Sequence, residues 1–257
     1  MRQRDPTLPI STLISAAFLS AAGARTIDPL LAILSKSFNE SVSTTSMTVV
    51  SFTMAYGASQ ILIGPIGDRY GKLRVLLGAL IAYAAAMAAC ASAGSLFALI
   101  VLRVGAGAAC GGLVPVCLAY LGDWVPYQNR QIALTHVLSG FIFGQMLGGP
   151  VGGVLGQWLG WQSVFLLLSF GGLIGAVHLA LRMKAFPDLR SRAWTKHGRD
   201  YFLLARQPTA RSLLTATLVE GAILAGSFPF IAPFLHDVFG LSYAAAGLVL
   251  MCFGLGG

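Results

Sequence analysis

The residues with the clearest chemical potential in this sequence are charged side chains that stand inside long apolar segments. Arg25 and Asp28 lie three residues apart, which places them on neighbouring sides of one helical turn. A charge in such a setting is costly, so both should face a bundle interior or a water-filled cavity. Two interpretations stay open: a mutual ion pair that stabilises the helix, or a site that binds protons or substrate.

Two further charged residues stand alone in apolar segments. Arg103 has no evident partner at its own depth, so it needs carbonyls, water or an acid, and Asp28 is the candidate acid. Glu220 either lines the same cavity or pairs with a helix outside this sequence. Uncharged polar residues complete the candidate site, as helix–helix hydrogen bonds or as ligand contacts. They are Tyr56, Gln60 and Gln145.

Other reactive groups show no arrangement suited to catalysis or to a cofactor. The four cysteines fall inside apolar runs without paired or ligand-like spacing, and we interpret them as small packing residues. The four histidines lack metal-site spacing, so no metal is expected. The sequence contains neither a G-x-x-x-x-G-K-[ST] phosphate loop nor an H-E-x-x-H motif. We therefore expect no cofactor and no enzymatic activity.

The elements that must position these groups are predicted from composition. Apolar residues make up 56% of the chain and charged residues 10%, whereas soluble domains carry about 25% charged residues. Runs of about 20 apolar residues match the hydrocarbon core of a membrane. Seven such runs and the start of an eighth are predicted as helices, near residues 9–34, 43–66, 72–93, 95–122, 131–156, 161–182 and 212–235, and from 242.

The predicted fold class is therefore all-α, a polytopic membrane protein. We divide it into a six-helix bundle at 1–182, a basic linker at 183–211 and the start of a second bundle at 212–257. The first run has no cleavage site of the signal-peptide type and is expected to remain as a span. The eighth run stops at Gly257, so we expect a longer protein with further spans; a natural 257-residue product is the alternative.

Basic residues are distributed unevenly between the two sides of the predicted membrane. Most of the 17 lysines and arginines lie before the first helix or in loops that follow even-numbered helices. Because basic short loops stay in the cytoplasm, the N-terminus is predicted to be cytoplasmic in an inner (plasma) membrane. The net charge of +8 reflects this pattern and not nucleic-acid binding. The linker at 183–211 is either solvated or in contact with anionic lipid headgroups.

The most informative motif lies between the second and third predicted helices, at residues 64–74. It is predicted to form a tight loop, because glycines let the backbone turn and helix ends pack closely. A carboxylate there is costly unless it is paired or placed at a helix N-terminus. The pattern consists of Gly64, Asp68, Arg69, Gly71 and Lys72. It resembles motif A of the major facilitator superfamily, G-x-x-x-D-R-x-G-R/K.

The resemblance extends over essentially the whole chain and implies a transporter built from two six-helix bundles. The run that begins at Arg103 and continues with small residues to Gly107 is similar to motif B of the superfamily. The resemblance links such an arginine to proton coupling. It also implies that Asp68 meets the positive end of a helix from the second bundle when the cytoplasmic side is closed, as a latch.

The same resemblance implies a charge network around this latch. Arg69 and Lys72 would balance charge against Asp123 or against lipid phosphate. Arg130, after the turn that follows the fourth predicted helix, is a further candidate member. A latch made in one state and broken in the other sets the populations of a two-state carrier.

Glycines recur every four residues along the fifth predicted helix. This spacing places them on one face, where another helix can approach backbone to backbone. The residues concerned are Gly140, Gly144, Gly148, Gly152 and Gly156, with Gly149, Pro150 and Gly153 beside them. Pro150 removes a backbone hydrogen bond and favours a kink. The segment resembles motif C of antiporters, although it is one residue short, so a packing face and an antiporter hinge both stay open.

These observations predict a secondary transporter of a small organic solute that works by alternating access. Proton-coupled efflux is the favoured function, and the expected partners are substrate, protons and membrane lipid, with a monomer when full length. A proton-coupled uptake permease and a truncated, non-transporting remnant are the alternatives. A membrane-embedded enzyme is disfavoured, because no nucleophile–base pair or metal cluster is evident.

Overall fold

The computed structural model describes residues 8–183, 186 and 206–255. Within these residues every regular element is helical, so the predicted all-α membrane fold is confirmed. Seven spans are long and apolar enough to cross a membrane: Ile10–Phe38, Val42–Tyr70, Lys72–Ala91, Leu96–Trp124, Tyr127–Leu159, Trp161–Arg182 and Pro208–Phe239. A shorter helix, Tyr243–Leu255, follows them. We number these spans 1 to 8 in chain order.

Three of these spans are assembled from shorter helices. Span 1 consists of Leu8–Arg25, a 3-10 turn at Asp28–Leu30, and Leu31–Phe38. Span 2 consists of Val42–Thr45 and Met47–Tyr70, and span 4 of Leu96–Cys110 and Leu113–Trp124. Because consecutive spans run in opposite directions, two ends of the bundle are defined. We call the end that carries Gly71 the motif-A end and the other the opposite end.

The connection between spans 2 and 3 differs from the predicted loop. Span 2 stays helical through Tyr70, with Pro65 inside the helix, and span 3 begins at Lys72. Only Gly71 joins them, with φ at +94°, a region that favours glycine. The prediction of a loop at 64–74 was therefore wrong. In lipid every backbone polar group must be bonded internally, and this requirement extends helices across proline and glycine.

Span 1 is interrupted where its charged residues lie. The first helix ends at Arg25, and the next regular turn begins at Asp28 with Pro29 in its second position. Proline has no N–H and is tolerated at such a position. The last carbonyls of the first helix, including that of Gly23, lack partners within that helix. The interruption thus provides a backbone acceptor inside the bundle.

Span 5 lies between spans 1 and 8 and contacts each through glycines. A methyl group built on Gly140 would lie 2.7 Å from the carbonyl oxygen of Ile14 in span 1. One built on Gly149 would lie 3.4 Å from the carbonyl oxygen of Gly247 in span 8. Gly144, Gly148 and Gly152 also meet the backbone of span 1, and Gly156 meets the side chains of Leu30 and Ile33. Pro150 lies inside the continuous helix Tyr127–Leu159, and the hinge role stays a prediction.

Two predicted boundaries fall inside helices of the structure. Span 5 begins at Tyr127, so Arg130 lies in its first turn and not in a loop. Span 7 begins at Pro208, before the predicted start at 212, since proline fits the first position of a helix. Residues 184–185 and 187–205 lie outside the described residues, and with them lies the predicted contact of the linker with lipid headgroups.

Candidate functional site

A cavity of about 170 Å³ lies between spans 1, 2, 5 and 7, near the middle of the bundle. Four of the polar residues predicted from sequence line it: Arg25, Asp28, Tyr56 and Gln145. Aromatic rings and a proline form much of the remaining wall: Phe52, Phe141 and Pro229. A cavity with apolar walls and a few polar groups is typical of a site for a small organic molecule.

Asp28 is the buried acid of this cavity. Its side chain belongs to a residue that is 1% exposed, and its Oδ2 atom has no hydrogen-bond partner among the described residues. The nearest cation is Arg25, whose Nη1 lies 3.7 Å from that oxygen, beyond hydrogen-bonding distance. The predicted ion pair is therefore present but loose. A buried carboxylate in this situation gains from an additional donor or from a proton.

Arg25 is held from a second direction by an aromatic ring of span 7. Its guanidinium lies 4.0 Å from the centre of the Phe228 ring. A cation above a ring face is attracted by the ring quadrupole. The contact links span 1 to span 7, directly beside the cavity.

Arg103 lies fully buried behind the cavity wall. Its Nε donates to the carbonyl of Thr48 at 3.2 Å, and its Nη1 donates to the carbonyl of Gly23 at 3.4 Å. The guanidinium also lies 3.9 Å from the centre of the Phe52 ring. Asp28, the predicted acid partner of Arg103, makes no direct hydrogen bond with it among the described residues. The carbonyl of Gly23, at the interruption of span 1, accepts a hydrogen bond from Arg103 in its place.

The uncharged polar residues divide between two places. The hydroxyl of Tyr56 lies 3.4 Å from that of Ser20, so it joins span 2 to span 1 at the cavity, and Gln145 lies across from it on span 5. Gln60 does not line the cavity; it lines a second cavity at the motif-A end. Glu220 is exposed on span 7 and lines neither cavity.

At the motif-A end a single ammonium joins three spans. Lys72, at the start of span 3, lies 3.0 Å from Oδ1 of Asp68 in span 2 and donates to Oδ2 of Asp123 in span 4. Lys72 is buried, although lysine is strongly hydrated when exposed. Both carboxylates therefore stabilise the charge of Lys72, and Lys72 fixes the distance between them.

The other two members of the predicted network, Arg69 and Arg130, have different surroundings. Arg69 stacks over the ring of Tyr70, 5.1 Å from its centre. Arg130 lines the adjoining cavity of about 600 Å³ together with Gly64, Asp68, Lys72 and Asp123. Its Nε is buried without a hydrogen bond in the described residues. The structure thus brings Asp68 and Asp123 together at Lys72, places Arg130 in the adjoining cavity and unpaired through that atom, and places Arg69 against Tyr70.

Sequence reasoning missed the apolar wall of the cavity and the carbonyls that hold Arg103. Helical spacing contained part of this signal, because Phe52 precedes Tyr56 by one turn and Ser20 precedes Asp28 by two turns. Phe228 and Pro229 had no signal beyond their residue type. The carbonyls of Gly23 and Thr48 had none, since every residue has a carbonyl.

Comparisons of the sequence and of the fold find similar proteins. The chain is 31% identical to a chloramphenicol resistance protein of Streptomyces lividans, covering 97% of this chain and 64% of that protein. It is 33% identical to a gallate transporter of Pseudomonas putida over 69% of this chain and 36% of that protein. A bacterial homologue of the human lysosomal transporter Spinster, in an inward-facing and unoccupied conformation, superimposes with a TM-score of 0.81. That structure is 20% identical, and the match covers 98% of this chain and 60% of the other.

The chain spans less than two thirds of the length of each of these proteins. The model of the Major Facilitator Superfamily matches residues 13–257, which is nearly all of it. Proteins of this family are multi-pass membrane transporters of small molecules and not enzymes. On its sequence, its fold and its motif-A network, this chain belongs to the Major Facilitator Superfamily.

Proposed function

We propose that the full-length gene product exports a small organic solute by alternating access, driven by a proton gradient. The observation that carries this proposal is Asp28, a buried acid in a central cavity with one loose partner. An acid in the membrane interior that lacks a full set of partners is a site for a proton or for a donor group of a substrate. No metal or cofactor is needed for this exchange.

The charge balance of the cavity supports the coupling. Arg25 and Asp28 together are neutral when the acid is ionised, and their Nη1–Oδ2 separation of 3.7 Å leaves Oδ2 without a hydrogen bond to Arg25, so it can accept one from a group in the cavity. Protonation of Asp28 would leave Arg25 as an uncompensated cation held by Phe228. Proton and solute therefore compete for the same oxygen, which ties movement of one to movement of the other.

The packing of span 7 supports alternating access. Phe228 is buried beside Arg25 of span 1 and clusters with Ala232 of span 7 and with residues of span 8, whereas the motif-A half of span 7 exposes large apolar side chains, including Leu214 and Leu218. Span 7 therefore contacts span 1 from the cavity toward the opposite end, and we infer that the motif-A end is the open one. We propose that the motif-A end faces the cytoplasm, on the basis of the basic residues around it. The arrangement is then the inward-open state of a monomeric carrier in the plasma membrane.

The direction of transport has one alternative, a proton-coupled uptake permease. Similarity to a chloramphenicol resistance protein favours export. The segment from Pro150 to Gly153 is one residue shorter than motif C of antiporters, and this departure weakens the support that the motif gives to export. Accumulation of solute in right-side-out or in inside-out vesicles distinguishes the two directions.

Substitution of Asp28 tests the proposal. Asp28→Asn keeps the size of the side chain and removes the proton site, so transport driven by a pH gradient should be lost in vesicles that hold the full-length protein. Asp237→Asn is the matched control, because Asp237 is an exposed acid outside the cavity. The amount of inserted protein should be equal for both variants. Unchanged gradient-driven flux in Asp28→Asn would exclude Asp28 as the coupling site.

The proposed orientation needs its own measurement. A cysteine added before residue 8 should react with an impermeant maleimide only in inside-out vesicles. Reaction in right-side-out vesicles would reverse the assignment of both ends.

A further inference from the structure

A second cluster of contacts joins spans 1, 5, 7 and 8 at the opposite end. The ring of Tyr243 in span 8 stacks on the imidazole of His236 in span 7, with centroids 4.3 Å apart. The ammonium of Lys36 in span 1 lies 5.9 Å from the centre of the same tyrosine ring. One aromatic ring is thus contacted by side chains of both bundles, away from the central cavity.

The start of span 8 is tied to span 5 by a backbone cap. The first N–H groups of a helix have no partner inside that helix. The N–H of Ala244 donates to Oε1 of Gln157 in span 5 at 3.2 Å. One turn further, a methyl group on Gly247 would lie 2.7 Å from the carbonyl oxygen of Gly149. Spans 5 and 8 therefore meet backbone to backbone, with Gln157 at the outer edge of the contact.

The turn between spans 7 and 8 holds its two rings in place. Nδ1 of His236 lies 2.8 Å from the carbonyl oxygen of Leu241. A carbonyl only accepts, so Nδ1 carries the hydrogen in this contact. Gly240 ends span 7 with φ at +67°, and its N–H donates to the carbonyl of His236 at 3.0 Å. His236 and Tyr243 consequently move as one unit with this turn.

We propose that Lys36, Gln157, His236 and Tyr243 form an outer latch, which closes the opposite end while the motif-A end is open. The inference rests on the proposed alternating access, because a carrier open at both ends would dissipate its gradient. Lys36 and Gln157 belong to the first bundle, and His236 and Tyr243 to the second. Separation of the bundles at this end must break the Lys36–Tyr243 and Gln157–Ala244 contacts together.

Each contact across the latch is weak enough to be broken in every cycle. Lys36 contributes a cation–ring contact at long range, and Gln157 a single neutral hydrogen bond. The stack of His236 on Tyr243 stays within one turn and does not have to break. The latch therefore sets how often the opposite end opens and leaves the solute site untouched.

Accessibility of the cavity from the opposite end tests the latch. Thr53→Cys, in a variant of the full-length protein without its native cysteines, places a reporter in the cavity wall. An impermeant maleimide is added from the side of the opposite end, and its reaction rate is measured without solute or proton gradient. Tyr243→Ala should raise the rate about fivefold, the size of a modest conformational coupling. Tyr243→Phe should leave it unchanged, because the ring is retained.

Matched variants separate the latch from general loosening of the fold. Gln157→Ala should raise the rate, whereas Gln162→Ala should not, since Gln162 is an exposed glutamine at the same end in span 6. Lys36→Met should raise it by a smaller factor than Tyr243→Ala. Where Tyr243→Ala does not insert, Gln157→Ala and Lys36→Met decide the outcome.

Unchanged rates for Gln157→Ala and Lys36→Met overturn the latch. So does an equal increase for Gln162→Ala. Because the measurement needs neither solute nor a gradient, these failures are distinct from a failure of the transport assay with Asp28→Asn.

Discussion

Two charge clusters in this protein, each built around a buried charged group, balance their charges in different ways. At the motif-A end Lys72 lies between two carboxylates, 3.0 Å from Asp68 and in contact with Asp123. In the central cavity Asp28 has one cation, Arg25, at 3.7 Å, and its Oδ2 has no hydrogen bond in the described residues. The first cluster has an excess of partners for its buried group, and the second has a deficit.

The difference separates a group that joins helices from a group that is open to exchange. Removing one partner of a well-paired buried charge is destabilising, because the remaining charge is left uncompensated. A buried carboxylate that already lacks a partner gains stability when a proton or a donor arrives. The motif-A cluster therefore suits a role in holding spans 2, 3 and 4, and the central cluster suits a role in coupling.

Arg103 combines features of both clusters. It is as buried as Asp28, but two backbone carbonyls and the face of Phe52 stabilise its charge. Because carbonyls do not titrate, this arrangement cannot exchange protons with its partners. Arg103 fixes spans 1, 2 and 4 around the cavity, and Asp28 remains the group that can change charge.

The largest effect on the transport rate is expected from one of two substitutions that conserve charge. Arg103→Lys should reduce transport at least about tenfold, because one ammonium cannot reach both carbonyls and cover the Phe52 ring as a planar guanidinium does. Lys72→Arg should retain most transport, because a guanidinium can still bridge Asp68 and Asp123. Initial rates per inserted transporter measure both. Equal losses in the two variants would show that Arg103 does not need a planar guanidinium to hold its two carbonyls and the Phe52 ring.

The next largest effect concerns the distance between spans 2 and 4 behind the cavity. A methyl group on Gly107 would overlap the backbone carbonyl of Phe52, whereas one on Gly105 meets nothing within 4 Å. Gly107→Ala should therefore lower the free energy of unfolding by about 1–3 kcal/mol, the cost of overpacking. Gly105→Ala should be neutral or slightly stabilising. Thermal unfolding in detergent compares them, and equal midpoints would mean that this close approach is not needed.

A smaller effect is expected from the motif-A latch. Asp68→Asn removes the acid proposed to meet the second bundle, so the motif-A end should open more often. A cysteine at Gln60, which lines the motif-A cavity, should react about fivefold faster from that side. Asp123→Asn should change the rate less, because Lys72 keeps Asp68 as its partner. Unaltered reactivity in Asp68→Asn would leave that residue as a partner of Lys72 without a role in closing the motif-A end.

The membrane spans were predictable from sequence, but the places where helices break were not. Apolar runs of sufficient length located all seven candidate spans of the described residues. Proline and glycine led to a wrong prediction at residues 64–74, where span 2 stays helical past Pro65 and only Gly71 leaves the helix. Those residues end helices readily in water, whereas in lipid the unsatisfied backbone groups cost more than the strain.

The candidate site was predicted in part. Charges in apolar runs are rare, so Arg25 and Asp28 were identified by their cost alone, and both line the cavity. The partners of Arg103 could not be chosen, because carbonyls occur at every residue and the chain contains 15 phenylalanines. The same argument, that a charge in an apolar segment is costly, also selected Glu220, which lies on an exposed face of span 7. Burial of a particular face depends on tertiary packing that composition does not encode.

The smallest effect is expected from two aromatic rings that cover arginines. Phe228 is 7% exposed and covers Arg25 beside the cavity, whereas Tyr70 is 54% exposed and covers Arg69 at the motif-A end. A cation–ring contact is worth more when it is desolvated. Phe228→Leu should raise the KM for solute about threefold with kcat unchanged, since a freed Arg25 pairs more closely with Asp28. Tyr70→Leu should leave KM and kcat unchanged. An equal rise in KM for the two variants would show that burial does not determine how strongly these cation–ring contacts stabilise the protein.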